Sequence, residues 1–248
     1  MKDIVISIIL SFMILLSSTI IEVTPTIMNS SEIEKKINIY NKDSKDEGIK
    51  QLLIDKYNEN KMYDIAGVIY IEDIAFDVVM MPTESDEYLH ASRNGEYLRE
   101  GELFLSDLSN FNETRSLDMT RIYGHNMATG RKFGLISRLH NKENARPMYF
   151  YDGVKVKKYT IARTFKFIDG TETFERYGLT DEEKQSFLSK ITENYVSSHI
   201  EEFDPSKEVV FLQTCQTATG LMRDVVVYVE EGVIWWASQR DFLYLSWL

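Results

Sequence analysis

From Ala66 onward the apolar residues of this chain arrive in short bursts rather than at helical spacing. AGVIYI (66–71), IAFDVVM (74–80), GELFLS (101–106), TRIYGHN (120–126), EVVFLQT (208–214) and RDVVVYV (223–229) are rich in β-branched and aromatic residues, and polar segments separate them. Runs this short make marginal helices, whereas Val, Ile, Phe and Tyr fit a pleated surface. Glu72-Asp73 reads as the turn between the first two. VKVKKYTIARTFKF (154–167) is longer and alternates over Val154 and Val156, then Tyr159 and Ile161, then Phe165 and Phe167. That pattern predicts one long strand with a break of register. The runs at 208–214 and 223–229 are nearly continuous in apolar residues, as in strands covered on both faces. The expectation is a mainly β (α+β) domain, a barrel or a sandwich.

Helices are expected at the front and in one insertion. Ser31 with Glu34 forms a capping box ahead of Ile33, Ile37 and Tyr40, and Ile49, Leu52, Leu53 and Tyr57 share one face of a segment from Asp46 to Tyr57. Together they predict a helical hairpin before the main domain. Thr180 with Glu183 forms a second capping box, followed by Phe187, Leu188, Ile191 and Tyr195 on one face, which predicts a helix running to His199.

Ile4 to Ile21 (IVISIILSFMILLSSTII) is an uncharged apolar run behind Lys2. Its 18 residues span ~27 Å as a helix, enough for a thin hydrocarbon core. It reads as a signal peptide or a retained anchor. Ser17, Ser18 and Thr19 are small but Ile20, Ile21 and Glu22 follow, so the cleavage pattern is weak and the anchor is favoured. The expected division is 1–22 anchor, 23–62 connector and helices, and 63–248 barrel domain. The chain is then a single-pass protein of the cell membrane with its folded part extracellular.

The net charge of −11 argues against nucleic acid as a partner, because phosphate binding needs a basic surface. A hydrophobic content of 44% excludes a wholly disordered chain. Cys215 is the one cysteine, so an internal disulfide and a cysteine zinc cluster are both excluded. A free thiol in an exported chain is either a small buried hydrophobe or a nucleophile. A nucleophilic thiol needs a base and a donor for the developing oxyanion. His90, His125, His140 and His199 are the available imidazoles. Cys215 ends an apolar strand in FLQTCQTATG, and His125 follows another in RIYGHNMATG, where Gly124 allows close backbone approach. Arg223 opens the next strand, and a hairpin returning along its partner would bring it level with Cys215. Each of the three also has a plain structural reading, as packing, loop and solvated surface, and spacing alone does not choose.

The motifs taken together resemble the sortase family. TRIYGHNMATGRKFGLISRL resembles the family's histidine segment, FLQTC its Leu-x-Thr-Cys signature, and Arg223 followed by Val225, Val226 and Val227 its arginine strand. GVIYIEDIAFDVVM and DEYLHASRNGEYLREGELFLSD are similar to its opening strands, and the matches keep the family's order across about 66 to 229. Phe211 and Asp224 depart from the pattern: Thr is common at the first position and a hydrophobe at the second. The helices at the front and after the sixth strand are similar to class B; the Asp-Pro-aromatic lid of class C does not occur in 22–65.

The resemblance implies an eight-stranded sortase-type β-barrel with an N-terminal helical hairpin and a long helix between the sixth and seventh strands. It implies a cysteine transpeptidase that cleaves a C-terminal sorting motif of secreted proteins after Thr through a thioacyl intermediate. The acyl group passes to an amine of the cell wall or of a pilin. It assigns catalysis to Cys215, His125 and Arg223, and substrate binding to Leu89, Tyr123 and Thr214. This chemistry needs no metal or organic cofactor. The alternatives are a catalytically silent, membrane-anchored β-barrel that binds a surface protein, and a cysteine hydrolase that uses water. The tail VIWWASQRDFLYLSWL (233–248) reads as a further edge strand or helix on the barrel, with a membrane-interface contact through Trp235, Trp236 and Trp247 as the lesser reading.

Overall fold

The computed structural model describes residues 45–84, 87–106, 111–168, 180–191, 195–200, 204–215 and 222–236. The expected apolar anchor and the first helix of the hairpin lie outside them. No helix among the described residues is long and apolar enough to cross a membrane.

Among the described residues nine strands follow the helix α1 (Lys45–Asn60): β1 (Ile65–Ile71), β2 (Ala75–Met80), β3 (Leu103–Leu105), β4 (Thr120–Tyr123), β5 (Met148–Tyr151), β6 (Lys155–Ile168), β7 (Tyr195–Ser198), β8 (Val209–Cys215) and β9 (Met222–Trp236). They hydrogen-bond in the order β5-β1-β2-β3-β4-β8-β9-β6-β7, and β5 also pairs with β6. Eight strands therefore close a barrel and β7 is an added edge on β6. Closure leaves few open edges. The turn at Glu72-Asp73 is present, with Asp73 at φ 61° and Ile74 N–H donating to the Ile71 carbonyl at 3.0 Å.

The strands β8 and β9 are covered on both faces. Val210, Leu212, Val226 and Tyr228 join the barrel core with Ile69, Ile122, Phe133 and Tyr159. Val209, Phe211, Val225, Val227 and Val229 pack outward with Met119, Phe165 and Leu188. Leu188 comes from α2 (Asp181–Ile191), whose start carries the expected box: Thr180 N–H donates to Glu183 Oε2 at 2.9 Å and Glu183 N–H to Thr180 Oγ1 at 3.3 Å. On the other side α1 buries Ile49, Leu52 and Leu53, and Tyr149 donates to Asp46 at 2.8 Å.

The expected helix to His199 is shorter than its periodicity suggested. It ends at Ile191, and Tyr195 to Ser198 pair antiparallel with β6 instead. Beyond Tyr159 the β6 edge no longer faces β5, and its free backbone groups take a new strand. The strand β5 (MYFY) has no counterpart in the runs picked out from the sequence; its four residues, all buried, close the barrel. The tail's first residues, Val233 to Trp236, simply extend β9 along β6, and 237–248 lie outside the described residues.

Candidate active site

Three strand ends meet at one rim. β4 and β8 run parallel with Tyr123 opposite Gln213, and the Gly124 N–H donates to the Gln213 carbonyl at 3.1 Å. His125 and Cys215 each follow two residues after that last pair. β8 and β9 run antiparallel, and their last described pair is Cys215 opposite Arg223. Thr214 pairs with Asp224 one step inward. Arg223 is half-buried, and its charge acts on the His125 ring.

Glycine is required where β4 leaves the barrel. A Cβ on Gly124 would lie 2.4 Å from Leu103 Cδ2 and 2.7 Å from Phe133 Cδ2. His125 then turns toward the short helical segment Glu87–Leu89, where its Nε2 lies 2.7 Å from the Leu89 carbonyl. A carbonyl only accepts, so Nε2 carries the proton and Nδ1 is left as the basic nitrogen. The His90 ring stacks on His125 with centroids 5.2 Å apart, and the Tyr123 ring stands edge-on at 6.1 Å. Burial holds the His125 pKa below the ordinary value. The Leu89 carbonyl works against this, and the positive fields of His90, Arg223 and Lys132 add to it. At neutral pH the ring is therefore neutral.

Beneath His125 lies a charged network that sequence reading did not single out. Lys132 Nζ is 2.8 Å from Asp77 Oδ2 and 2.6 Å from Glu102 Oε2, and Arg93 Nε is 3.1 Å from Glu102 Oε1. Arg93 also donates to Asn60 of α1. Burial works to lower the Lys132 pKa, but the two carboxylates outweigh it and keep the ammonium charged. Asp77 is held below the usual carboxylate value because Lys132, Lys56 and Arg93 outweigh its burial. Lys132 sits at φ 55° on the loop that returns from His125, and the Phe133 N–H donates to the His125 carbonyl at 3.1 Å.

The remaining expected residues fall close by. Tyr123 is half-buried against Phe104, with ring centroids 5.3 Å apart. For Leu89 the backbone carbonyl is what meets His125. Thr214 is fully buried, and its hydroxyl has no hydrogen-bond partner among the described residues. Asp224, which departs from the family pattern, keeps its place in the ladder: it is fully buried, and His140 Nε2 lies 2.8 Å from its Oδ1. Among the described residues no group of His, Cys, Asp and Glu is placed to hold a metal.

Neither a protein-family model nor a curated protein sequence matches the chain. Solved structures do match. Sortase B of Clostridium perfringens is 21% identical with a TM-score of 0.60, over 73% of this chain and 98% of that one. The Staphylococcus aureus sortase B–substrate complex is 18% identical with a TM-score of 0.63, over 82% and 93%. A Bacillus anthracis protein described as similar to sortase B is 22% identical with a TM-score of 0.61, over 84% and 100%. The chain thus has a sortase B-like fold.

Proposed function

We propose that this chain, with its sortase B-like fold, is a cysteine transpeptidase anchored in the cell membrane by residues 4–21. Cys215 attacks the carbonyl carbon after Thr in a C-terminal sorting motif, and the C–N bond breaks as the thioester forms. His125 takes the thiol proton and gives it to the departing amine; it later takes a proton from the incoming amine of the cell wall or of a pilin. Arg223 donates to the carbonyl oxygen as charge grows on it. Thr214 lines the pocket beside the nucleophile, and Leu89 and Tyr123 border the peptide groove. One amide replaces another, so the exchange is nearly neutral in energy.

The observation that carries this reading is the register. The β8–β9 ladder ends with Cys215 opposite Arg223, the β4–β8 ladder ends with Tyr123 opposite Gln213, two residues before His125 and Cys215, and this common end supports the reading. The neutral His125 ring, with Nδ1 unprotonated, suits the base role. The test is incubation with Pro-x-Thr pentapeptides, with and without an amine acceptor, read by mass. A new amide is expected with the acceptor, and a thioester without it. Cys215→Ala forms no thioester, and His125→Ala and Arg223→Ala each lower the rate ~10²–10³-fold. Cleavage whose product ignores the amine indicates the hydrolase, and an inert thiol indicates the binding barrel.

A further inference from the structure

We propose that the fork where β6 exchanges β5 for β7 is a binding site for a phosphoryl oxyanion. β6 pairs with β5 up to Tyr159 and with β7 from Arg163. Between the diverging edges lies a cleft of about 310 Å³, lined by Lys142, Arg146, Thr160 and His199 over Ile161 and Ile200. Its basic side chains come from three directions. Lys142 stands on the helical turn Lys142–Asn144, Arg146 precedes β5, and His199 follows β7.

The charge there is poorly balanced. Residues 138–166 hold eight Lys and Arg against Glu143 and Asp152, in a chain whose net charge is −11. Several of these cations are paired elsewhere, Lys157 with Glu208 and Lys158 with Glu231. Those at the cleft are not closely paired. Lys142 is exposed and forms no ion pair among the described residues. Arg146 is oriented by the Ala145 carbonyl at 3.0 Å, and Glu72 comes only within 3.9 Å of its Nε. His199 Nε2 is buried with no hydrogen-bond partner among the described residues. Burial lowers the His199 pKa, and Lys142, Arg163 and His140 lower it further against the pull of the Leu139 carbonyl. The cleft is therefore a positive field, and one of its lining residues carries a buried ring nitrogen without a partner among the described residues.

A tetrahedral oxyanion presents oxygens in several directions and matches donors converging from separate segments; Arg and Lys both bind phosphoryl groups well. Thr160 adds a hydroxyl-bearing side chain to the lining. Thr160 pairs with Val229, six residues along β9 from Arg223, or about 20 Å. The site is thus separate from the Cys215 rim, and its existence does not rest on the catalytic reading.

The test is calorimetric titration of the full chain in detergent with inorganic phosphate, glycerophosphoglycerol and acetate, while NMR follows the His199 ring. Saturable phosphoryl binding is expected, with the His199 midpoint moving up because the anion stabilises the imidazolium. Lys142→Gln and Arg146→Gln should each weaken it about tenfold, one charge-assisted hydrogen bond apiece, while Lys61→Gln leaves it unchanged. Tighter binding of the diester identifies a lipid headgroup as the source, and tighter binding of phosphate a free anion; both support the site. Acetate binding as tightly as either overturns the phosphoryl assignment. Absence of saturable binding, or binding indifferent to Lys142→Gln, overturns the site.

Discussion

His125 and Cys215 reach the same rim on two different kinds of support. Under His125 the charges interlock: Lys132 bridges Asp77 and Glu102, Arg93 crosses to Glu102, and the Leu89 carbonyl fixes the ring. Under Cys215 the backbone ladder does the holding, with seven consecutive pairs from Val209–Val229 to Cys215–Arg223. The polar side chains there are only partly matched: Thr214 Oγ1, Asp224 Oδ2 and His140 Nδ1 are buried without a partner among the described residues. A buried polar atom without a partner loses its hydration and gains nothing in return, whereas an interlocked charge depends wholly on its partners. The first region should therefore tolerate no deletion, and the second should tolerate some.

The sharpest way to break this contrast is Lys132→Met. It leaves Asp77 and Glu102 with Arg93 as their remaining close cation, and should lower stability by ~3–5 kcal/mol in a denaturant titration. A loss under ~1 kcal/mol would show that the network is not what holds the His125 loop. Gly124→Ala should follow at ~1–3 kcal/mol, because the added methyl meets the side chains of Leu103 and Phe133 and both must shift. Thr214→Val removes an unmatched hydroxyl while keeping the shape. It should change stability by less than ~1 kcal/mol, and a larger loss would reveal a partner for that hydroxyl.

The smallest effect is one of pH. His125 has a folded pKa below its ordinary 6.5. Between the two values the unfolded chain binds the extra proton. Stability therefore falls as pH drops from 6.5 toward the folded value, and the penalty vanishes above 6.5. His125→Gln should flatten that acid limb, and an unchanged slope in a pH series of unfolding midpoints would place the titration elsewhere. His199, shifted the same way, should remain as the residual slope.

Local pattern carried most of the strands. AGVIYI, IAFDVVM and EVVFLQT became β1, β2 and β8 to within a residue or so at each end, and the broken alternation of 154–167 became register shifts between Val156/Lys157, Lys158/Tyr159 and Ile161/Arg163. The box at Thr180 and Glu183 was equally readable, since both partners lie within one turn. The periodicity through Tyr195 misled, because Tyr195 to Ser198 respond to an open sheet edge that no local window contains.

Determined by the sequence alone were the β-rich body, the helix start at Thr180, the single thiol and the chain order of the histidine, cysteine and arginine segments; these are properties of neighbours or of composition. Decided only by the tertiary structure were the closure through Met148–Tyr151, the charge network joining Asp77, Arg93, Glu102 and Lys132, the Asp224–His140 pair and the cationic cleft at the β6 fork. The physical reason is range: hydrophobic periodicity acts within a few residues, but electrostatic matching and strand pairing join positions tens of residues apart, and only the folded chain sets those distances.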